Sequence, residues 1–159
     1  MSLRPATQSD LDTIIELIRA LADYEGEPEA VKLDRETLRG HLFGPRPHAE
    51  VILAESDSGE SAGFALFFHN FSTWEGKPGI YLEDLFVRPE FRGHGFGKAL
   101  LVELARLAVQ RGCARLEWSV LDWNEPSIQF YKALGAQPLD EWTIYRISGD
   151  GLAALAART

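Results

Sequence analysis

A glycine-rich segment in the middle of the chain could bind an anion. Residues 92–98 read Arg-Gly-His-Gly-Phe-Gly-Lys; they follow an apolar run at residues 81–87 and precede a helical repeat of leucines and alanines. The start of a helix exposes backbone N–H groups without intrahelical acceptors, at the positive end of the helix dipole. The segment therefore predicts an anion site, with phosphate as the expected anion. The alternative is a tight turn between strand and helix without a ligand.

The spacing of the glycines excludes two common phosphate-binding motifs. Gly93, Gly95 and Gly97 are separated by one residue each, whereas the dinucleotide fingerprint places two residues before its third glycine. A nucleotide P-loop has four residues between its glycines and a Ser or Thr after its lysine, and Ala99 occupies that position here. The loop alone therefore leaves the phosphate ligand open.

Two adjacent carboxylates, Glu83 and Asp84, interrupt the apolar run that precedes the loop. Side chains of neighbouring strand residues point to opposite faces, so one of the two is expected to be directed into the protein. Burying a carboxylate without a partner costs on the order of several kcal/mol. This cost favours a functional or partner-binding role for the pair.

A second acidic stretch, residues 23–29, contains four carboxylates and no basic residue. It predicts either a solvated loop or a rim that attracts cations. Cys113 is the only cysteine, so no internal disulfide is expected, and an inert thiol is favoured over a nucleophile because no His–Asp arrangement lies near it in the sequence. The four histidines have no metal-ligand spacing, and no metal is predicted.

The apolar patterns predict a mixed α/β domain with a central sheet. Predicted strands lie at residues 3–6, 50–56, 62–71, 81–87, 114–121 and 142–147. Predicted helices follow Thr7 (to about residue 22), Asp34, the glycine-rich loop and Asn124, with a short helical tail at residues 149–157. One strand-to-helix connection carries the anion loop, where ligands of open sheets usually lie.

Composition limits the class of protein. The chain has 159 residues, 45% of them apolar, which predicts one domain over residues 1–159. A net charge of −8 disfavours nucleic acid as a partner and would attract cations such as amines. No apolar run is long enough for a membrane span, and the single cysteine favours a cytoplasmic address.

Two motifs in this order and spacing resemble those of the GNAT N-acetyltransferase superfamily. Residues 92–97 resemble its R-x-x-G-x-G/A signature, and residues 124–136 resemble its N-x-x-[AS]-x-x-[FL]-Y-x-x-x-G-[FA] pattern. Residues 4–7, 21–25 and 81–87 are further similar to the diamine (spermidine/spermine) and thialysine N-acetyltransferase group. The resemblance implies an α/β GNAT fold, in which helices flank a mostly antiparallel sheet with a parallel, splayed strand pair.

The resemblance implies acetyl-coenzyme A as the acetyl donor, held between strand residues 82–87 and 115–120. Backbone groups of Leu85, Phe86 and Val87 would lie along the pantetheine arm, and one N–H would polarise the thioester carbonyl. Asn124, Ser127 and Tyr131 would contact the donor from the other side. The pyrophosphate would be held by the loop residues Arg92, Gly93, His94, Gly95, Phe96, Gly97 and Lys98.

The resemblance also implies which residues transfer protons and which line the amine pocket. Glu83 would accept the proton of the attacking amine, through a water molecule because a carboxylate is a weak base for an amine of pKa about 10. Tyr131 would protonate the leaving thiolate; from spacing alone it would be an ordinary member of the apolar stripe of a capped helix. The amine pocket would be lined by Tyr24, Glu25, Glu83 and Glu117, although a carboxylate at Glu117 departs from the polyamine enzymes.

The expected function is transfer of an acetyl group to a primary amine of a small cationic molecule, such as a diamine, a polyamine or a thialysine-like amino acid. A protein amine is the alternative acceptor, and a silent acyl-coenzyme A binding module is the alternative class. No metal, nucleic acid or membrane partner is expected. The resemblance implies a homodimer to which C-terminal strands contribute.

Overall fold

Five strands form one sheet in the order β1-β2-β3-β4-β5 in the computed structural model, which describes residues 1–159. The first three pairs of neighbouring strands are antiparallel, and β4 and β5 pair in parallel. The strands are β1 (Ser2–Pro5), β2 (Glu50–Glu55), β3 (Ser61–Ser72), β4 (Lys77–Val87) and β5 (Leu116–Trp118). The mixed α/β class and the parallel pair are confirmed.

Five α-helices accompany the sheet, together with three single 3-10 turns at Gln8–Asp10, Pro28–Ala30 and Pro89–Phe91. The chain divides into two compact units, Met1–Ser119 and Val120–Thr159. None of the helices is both long and apolar enough to cross a membrane. The helices are α1 (Leu11–Tyr24), α2 (Arg35–Phe43), α3 (Phe96–Gln110), α4 (Glu125–Ala133) and α5 (Gly149–Ala156).

The helix starts follow the predicted capping residues. The Thr7 N–H donates to the Asp10 carboxylate at 2.7 Å just before α1, and the Thr37 N–H donates to the Asp34 carboxylate at 2.9 Å at the start of α2. Each carboxylate satisfies a backbone donor that the helix itself leaves without an acceptor. α1 is two residues longer than predicted and ends at Tyr24, which brings that ring onto the helix.

Three strand predictions are wrong, two in their bounds and one because no strand forms. β4 begins at Lys77, because residues 77–79, predicted as loop, pair with the end of β3. β5 is limited to Leu116–Trp118 instead of residues 114–121. Residues 142–147 form no strand within the chain, because an apolar alternation becomes a strand only when a neighbouring strand takes up its hydrogen bonds.

The register between β3 and β4 changes at one point, and this change positions the candidate site. Leu66 lies opposite Asp84, but the next residue, Phe67, lies opposite Leu82, so Glu83 is an extra residue on β4. Such a β-bulge breaks the two-residue alternation of side chains. Leu82 therefore shares a face of the sheet with Phe67, whereas Asp84 shares the other face with Leu66.

Helices α1 and α2 cover the face of the sheet that carries Asp84. Their buried side chains join those of β2, β3 and β4 in one cluster: Ile14, Leu17, Leu42, Val51, Leu53, Phe64, Leu66 and Phe86. α3 packs on the sheet through its buried stripe of Phe96, Leu100, Leu101, Leu104 and Ala108. The helical period of this stripe is the reason that α3 was predictable from the sequence.

Candidate active site

The glycine-rich loop presents a row of backbone donors ahead of α3. Gly93 and Gly95 adopt left-handed backbone angles, with φ of 80° and 87°, which a residue with a side chain rarely adopts. The backbone N–H groups of residues 93–98 donate to no acceptor in the protein. Together with the positive end of the α3 dipole, this row fits a pyrophosphate or another phosphate anion.

Two side chains stabilise this loop. Phe96, the first residue of α3, is buried and packs edge-on against Phe91, with ring centroids 5.8 Å apart. The His94 Nδ1 lies 2.9 Å from the Arg92 carbonyl oxygen, a distance at which a protonated Nδ1 donates. Lys98 is exposed. The loop is therefore fixed by apolar packing and internal hydrogen bonds, while its N–H groups stay available.

The bulge at Glu83 also reverses the direction of the backbone donors of β4. Before the bulge, the Ile80 N–H donates at 2.9 Å to the carbonyl that precedes β5; after it, the Arg88 N–H donates at 2.8 Å towards β3. N–H directions alternate along a regular strand. Without the extra residue, the N–H groups of Ile80 and Arg88, which are an even number of positions apart, would therefore point to the same side. The N–H groups of Leu85 and Val87 are therefore directed to the β5 side.

The parallel pairing of β4 and β5 ends at Leu82 and Trp118. Beyond that point, the β5-side edge of β4 has no partner strand, and the N–H groups of Leu85 and Val87 face this open edge. Backbone donors at an open edge can hydrogen bond to the amide groups of an extended ligand, or to a carbonyl oxygen that becomes negative in a transition state. The predicted roles of Leu85, Phe86 and Val87 are compatible with this geometry.

Asp84, on the α1 side of β4, lies close enough to two further carboxylates, Glu83 and Glu25, to be affected by their charge. Asp84 is half-buried and interacts electrostatically with Glu83 and Glu25. Glu83, the bulge residue, is exposed, and Glu25 follows the last residue of α1. No Lys, Arg or His nitrogen lies within 4.0 Å of any of these three carboxylates. The group carries negative charge that the protein does not neutralise.

The environment of Asp84 disfavours its charged form. Burial, and after it the negative charges of Glu83 and Glu25, raise the pKa of Asp84 to about 6. Burial also raises the pKa of Glu25. A cation placed among the three groups would reverse these effects, because an opposite charge favours the ionised carboxylate. The arrangement therefore favours a positively charged ligand.

Arg92 makes side-chain contacts that the sequence did not indicate. Its Nε donates to the Val87 carbonyl oxygen at 3.0 Å, and its guanidinium carbon lies 4.8 Å from the ring centroid of Tyr24 and 5.5 Å from that of Phe86. These contacts bring together two predicted groups of site residues: Tyr24 of the amine pocket and residues of the donor-binding strand.

Glu117 lies on the same face of the sheet as Asp84, because it pairs with Tyr81 in the β4–β5 ladder and Tyr81 precedes the bulge. Its carboxylate is 3.2 Å from Arg115. Unlike the three carboxylates near α1, Glu117 therefore has a basic partner. Its predicted contact with the amine remains a prediction.

The second unit contains the other predicted residues, on α4. The Ser127 N–H donates to Asn124 Oδ1 at 3.4 Å, so Asn124 caps the helix as predicted, and its side chain is buried. Pro126 occupies the first turn, where its missing N–H costs nothing. Tyr131 is half-buried on the same helix, with its ring 5.5 Å from that of Phe130.

The sequence favoured a functional role for the pair Glu83 and Asp84, but it gave a specific role only to Glu83 and did not identify Glu83 as a bulge. The signal for both residues was the pair of carboxylates inside an apolar strand. Regular alternation correctly predicts that one of the two is directed inward, but it cannot tell which. Only the register with β3 shows that Asp84 faces the helices and that Glu83 is exposed.

Comparison with known proteins assigns the family. A family model for the acetyltransferase (GNAT) family matches residues 13–136. A thialysine N-epsilon-acetyltransferase of Bos taurus is 40% identical over 166 residues, covering 98% of this chain and 97% of that protein. An L-ornithine N5-acetyltransferase of Arabidopsis thaliana is 48% identical over 94 residues, covering 59% of this chain and 41% of that protein.

The fold comparison agrees. The structure of an integron cassette protein from the mobile metagenome of V. cholerae superposes with a TM-score of 0.81 and 28% identity, covering 99% of this chain and 98% of that one. Acetyltransferases of this family use acetyl-coenzyme A as the donor, which fits the loop donors and the open edge of β4. The chain belongs to the GNAT acetyltransferase family and is an N-acetyltransferase.

Proposed function

We propose that this enzyme transfers the acetyl group of acetyl-coenzyme A to a primary amine of a small molecule that carries two amino groups, such as a diamine, ornithine or thialysine. The observation that carries the proposal is the group of three unneutralised carboxylates, Glu25, Glu83 and Asp84, beside the strand whose free N–H groups face the open edge. The relatives named for thialysine and ornithine acetylation support the same substrate class.

Two amino groups resolve a conflict in the chemistry. Carboxylates attract an ammonium ion, but they also raise the pKa of that amine and so make the neutral nucleophile scarcer. A substrate with two amines can leave one charged near Asp84 and Glu25, while the other loses its proton through water to Glu83 and attacks. The site therefore needs carboxylates for two tasks: holding the charged amine and accepting the proton of the attacking amine.

Acetyl-coenzyme A supplies an acetyl group activated as a thioester. The loop N–H groups of residues 93–98 would hold its pyrophosphate, and an N–H of Leu85 or Val87 would stabilise negative charge on the carbonyl oxygen. A C–N bond forms as the C–S bond breaks, and Tyr131 gives its hydroxyl proton to the sulfur. The role of Tyr131 is supported by the motif at residues 124–136.

Glu83→Gln is expected to weaken binding of the amine and to slow its deprotonation. The amide keeps the size of the side chain but cannot accept the amine proton or attract a cation. We expect the amine KM to rise, kcat to fall by about 10²-fold, and the rise of kcat/KM with pH to change shape. Steady-state kinetics from pH 6 to 9 would measure this, with Glu75→Gln on the β3–β4 turn as the control. An unchanged pH profile and an unchanged amine KM would contradict the role of Glu83.

An acceptor screen tests the proposed function. The purified enzyme is incubated with acetyl-coenzyme A and, separately, with free diamines, polyamines, ornithine, thialysine, monoamines and lysine-containing peptides, while thiol release and product mass are recorded. Turnover with molecules that carry two amino groups is the expected result. Turnover only with peptides would identify a protein acetyltransferase, and donor binding without any turnover would identify a silent module; either result would overturn the proposal.

We also propose that the enzyme is a homodimer. Residues 142–147 have the composition of a strand but no strand partner within the chain, and Trp142, Ile144 and Tyr145 are 71%, 77% and 93% exposed. A second copy could supply the missing strand neighbour and cover these side chains. Light scattering after gel filtration is expected to give twice the 17.7 kDa of one chain, and Ile144→Asp is expected to lower the mass. A mass of one chain for the unmodified protein would contradict the dimer.

A cytoplasmic address and the lack of a metal remain predictions from the sequence.

A further inference from the structure

Arg92 joins two parts of the site that bind different substrates. It is the first residue of the glycine-rich loop, and its guanidinium lies 4.8 Å above the ring of Tyr24 at the end of α1. The guanidinium also lies 5.5 Å from the ring centroid of Phe86, and the Arg92 Nε donates to the Val87 carbonyl oxygen. The side chain therefore connects the loop, the donor-binding strand and the helix that ends beside Glu25.

The partners of Arg92 are unusual for a cation next to an acidic pocket. Its guanidinium forms no ion pair within 4.0 Å, although Tyr24 is the neighbour of Glu25 in sequence. Aromatic faces and a carbonyl oxygen hold the positive charge by electrostatic attraction without cancelling the charge of a carboxylate. None of the three carboxylates is paired with Arg92, so each stays available to a substrate cation.

We propose that Arg92 is a positioning residue that couples donor binding to amine binding. A phosphate bound by the N–H groups of residues 93–98 restrains the loop, and Arg92 carries this restraint to Tyr24 and Glu25. The amine pocket is then better ordered when the donor is bound, and by reciprocity the amine favours the donor. This inference rests on the proposed function for the identity of the second ligand.

The kinetic test uses Arg92→Gln, which removes the charge but keeps a side chain of similar length. At saturating acetyl-coenzyme A, the amine KM is expected to rise about 2- to 5-fold, as expected for loss of an exposed cation–π contact, with a smaller change in kcat. Arg106→Gln, at an exposed position of α3, is the matched control. A loss confined to donor affinity, with the amine KM unchanged, would overturn the inference.

A double-mutant cycle shows whether the effect passes through the Tyr24 ring. Tyr24→Phe keeps the ring and Tyr24→Leu removes it. The Arg92→Gln effect on the amine KM is expected to persist when it is combined with Tyr24→Phe. In the Tyr24→Leu background, the fold-change in amine KM caused by Arg92→Gln is expected to be at most about half as large. Equal effects in both combinations would overturn the route through Tyr24.

Hydrogen exchange tests the coupling without any turnover. The Glu25 and Glu27 N–H groups donate to the carbonyl oxygens of Leu21 and Ala22, both at 2.9 Å, so their exchange reports opening of the end of α1. Coenzyme A is expected to slow their exchange at least about 2-fold in the unmodified protein and not in Arg92→Gln. Equal slowing in both proteins, or none in the unmodified protein, would overturn the inference even if the acceptor screen succeeds.

Discussion

Replacing Tyr131 with phenylalanine is expected to lower kcat by about 10²- to 10⁴-fold, the usual contribution of a general acid. A tyrosine in water has a pKa of about 10, so a phenol is a proton donor at neutral pH and suits protonation of a departing thiolate. Phenylalanine keeps the ring and its packing against Phe130, but it has no proton to give.

The effect should fall on the chemical step. Because the hydroxyl acts on charge that develops as the C–S bond breaks, kcat and kcat/KM should fall together, with donor affinity within about 2-fold of the original. Steady-state kinetics and calorimetry with coenzyme A would measure these quantities. Tyr145→Phe, at an exposed tyrosine outside α4, is the control. A kcat within about 3-fold of the unmodified enzyme would remove Tyr131 as the acid.

Asp84→Asn is expected to raise the amine KM by about 10- to 100-fold and at the same time to stabilise the fold. The amine effect follows from the loss of a charge-assisted contact, which is worth about 1.5–3 kcal/mol. The stability effect follows because the amide has no charge to bury and is not repelled by Glu83 and Glu25. A site residue whose replacement increases stability while reducing substrate affinity is typical of a strained functional group.

The raised pKa of Asp84 determines how the stability effect of Asp84→Asn depends on pH. The folded protein raises the pKa of Asp84 from 3.8 to about 6, so it holds the proton more tightly than the unfolded chain does. The stability contributed by this group is complete below about pH 4 and is lost as the pH rises through 6. The Asp84→Asn variant does not lose this stability as the pH rises, because its amide does not ionise. Its advantage in the free energy of unfolding should be near zero at pH 4 and roughly 1–3 kcal/mol at pH 8.

Urea unfolding at pH 4 and pH 8 measures the stability effect, and amine KM values from pH 5.5 to 8 measure the binding effect. In the unmodified enzyme, amine affinity should fall as the pH drops through 6, because Asp84 becomes neutral; in Asp84→Asn this fall should be reduced. Asp140→Asn, at an exposed loop position, is the control. A variant that is less stable than the original at pH 8, with an unaltered amine KM, would contradict the role given to Asp84.

The sequence predicted the parts of the site that depend on local chemistry. Gly93 and Gly95 take the left-handed angles that only glycine adopts easily, so the loop could be recognised from residue types alone. Asn124 and Asp34 cap their helices for the same local reason. The family resemblance, which rested on these motifs, is confirmed by the family comparison.

Features that depend on strand neighbours could not be predicted in this way. The bulge at Glu83 arises from the register of β4 against β3, and nothing in the local sequence fixes that register. The strand at residues 142–147 was wrong for the same reason, because its apolar alternation needs a neighbour that one chain does not provide. The contacts of Arg92 with Tyr24 join residues 68 positions apart in sequence, which no local pattern can indicate.

Titration calorimetry with acetyl-coenzyme A tests the central claim most directly. The claim is that the N–H groups of residues 93–98 and the open edge of β4 bind a donor with a pyrophosphate and a pantetheine arm. One site per chain is expected, with micromolar affinity for acetyl-coenzyme A and coenzyme A, and at least about 10-fold weaker affinity for pantetheine, which lacks the pyrophosphate. No binding of either coenzyme, or equal affinity for pantetheine, would contradict the account.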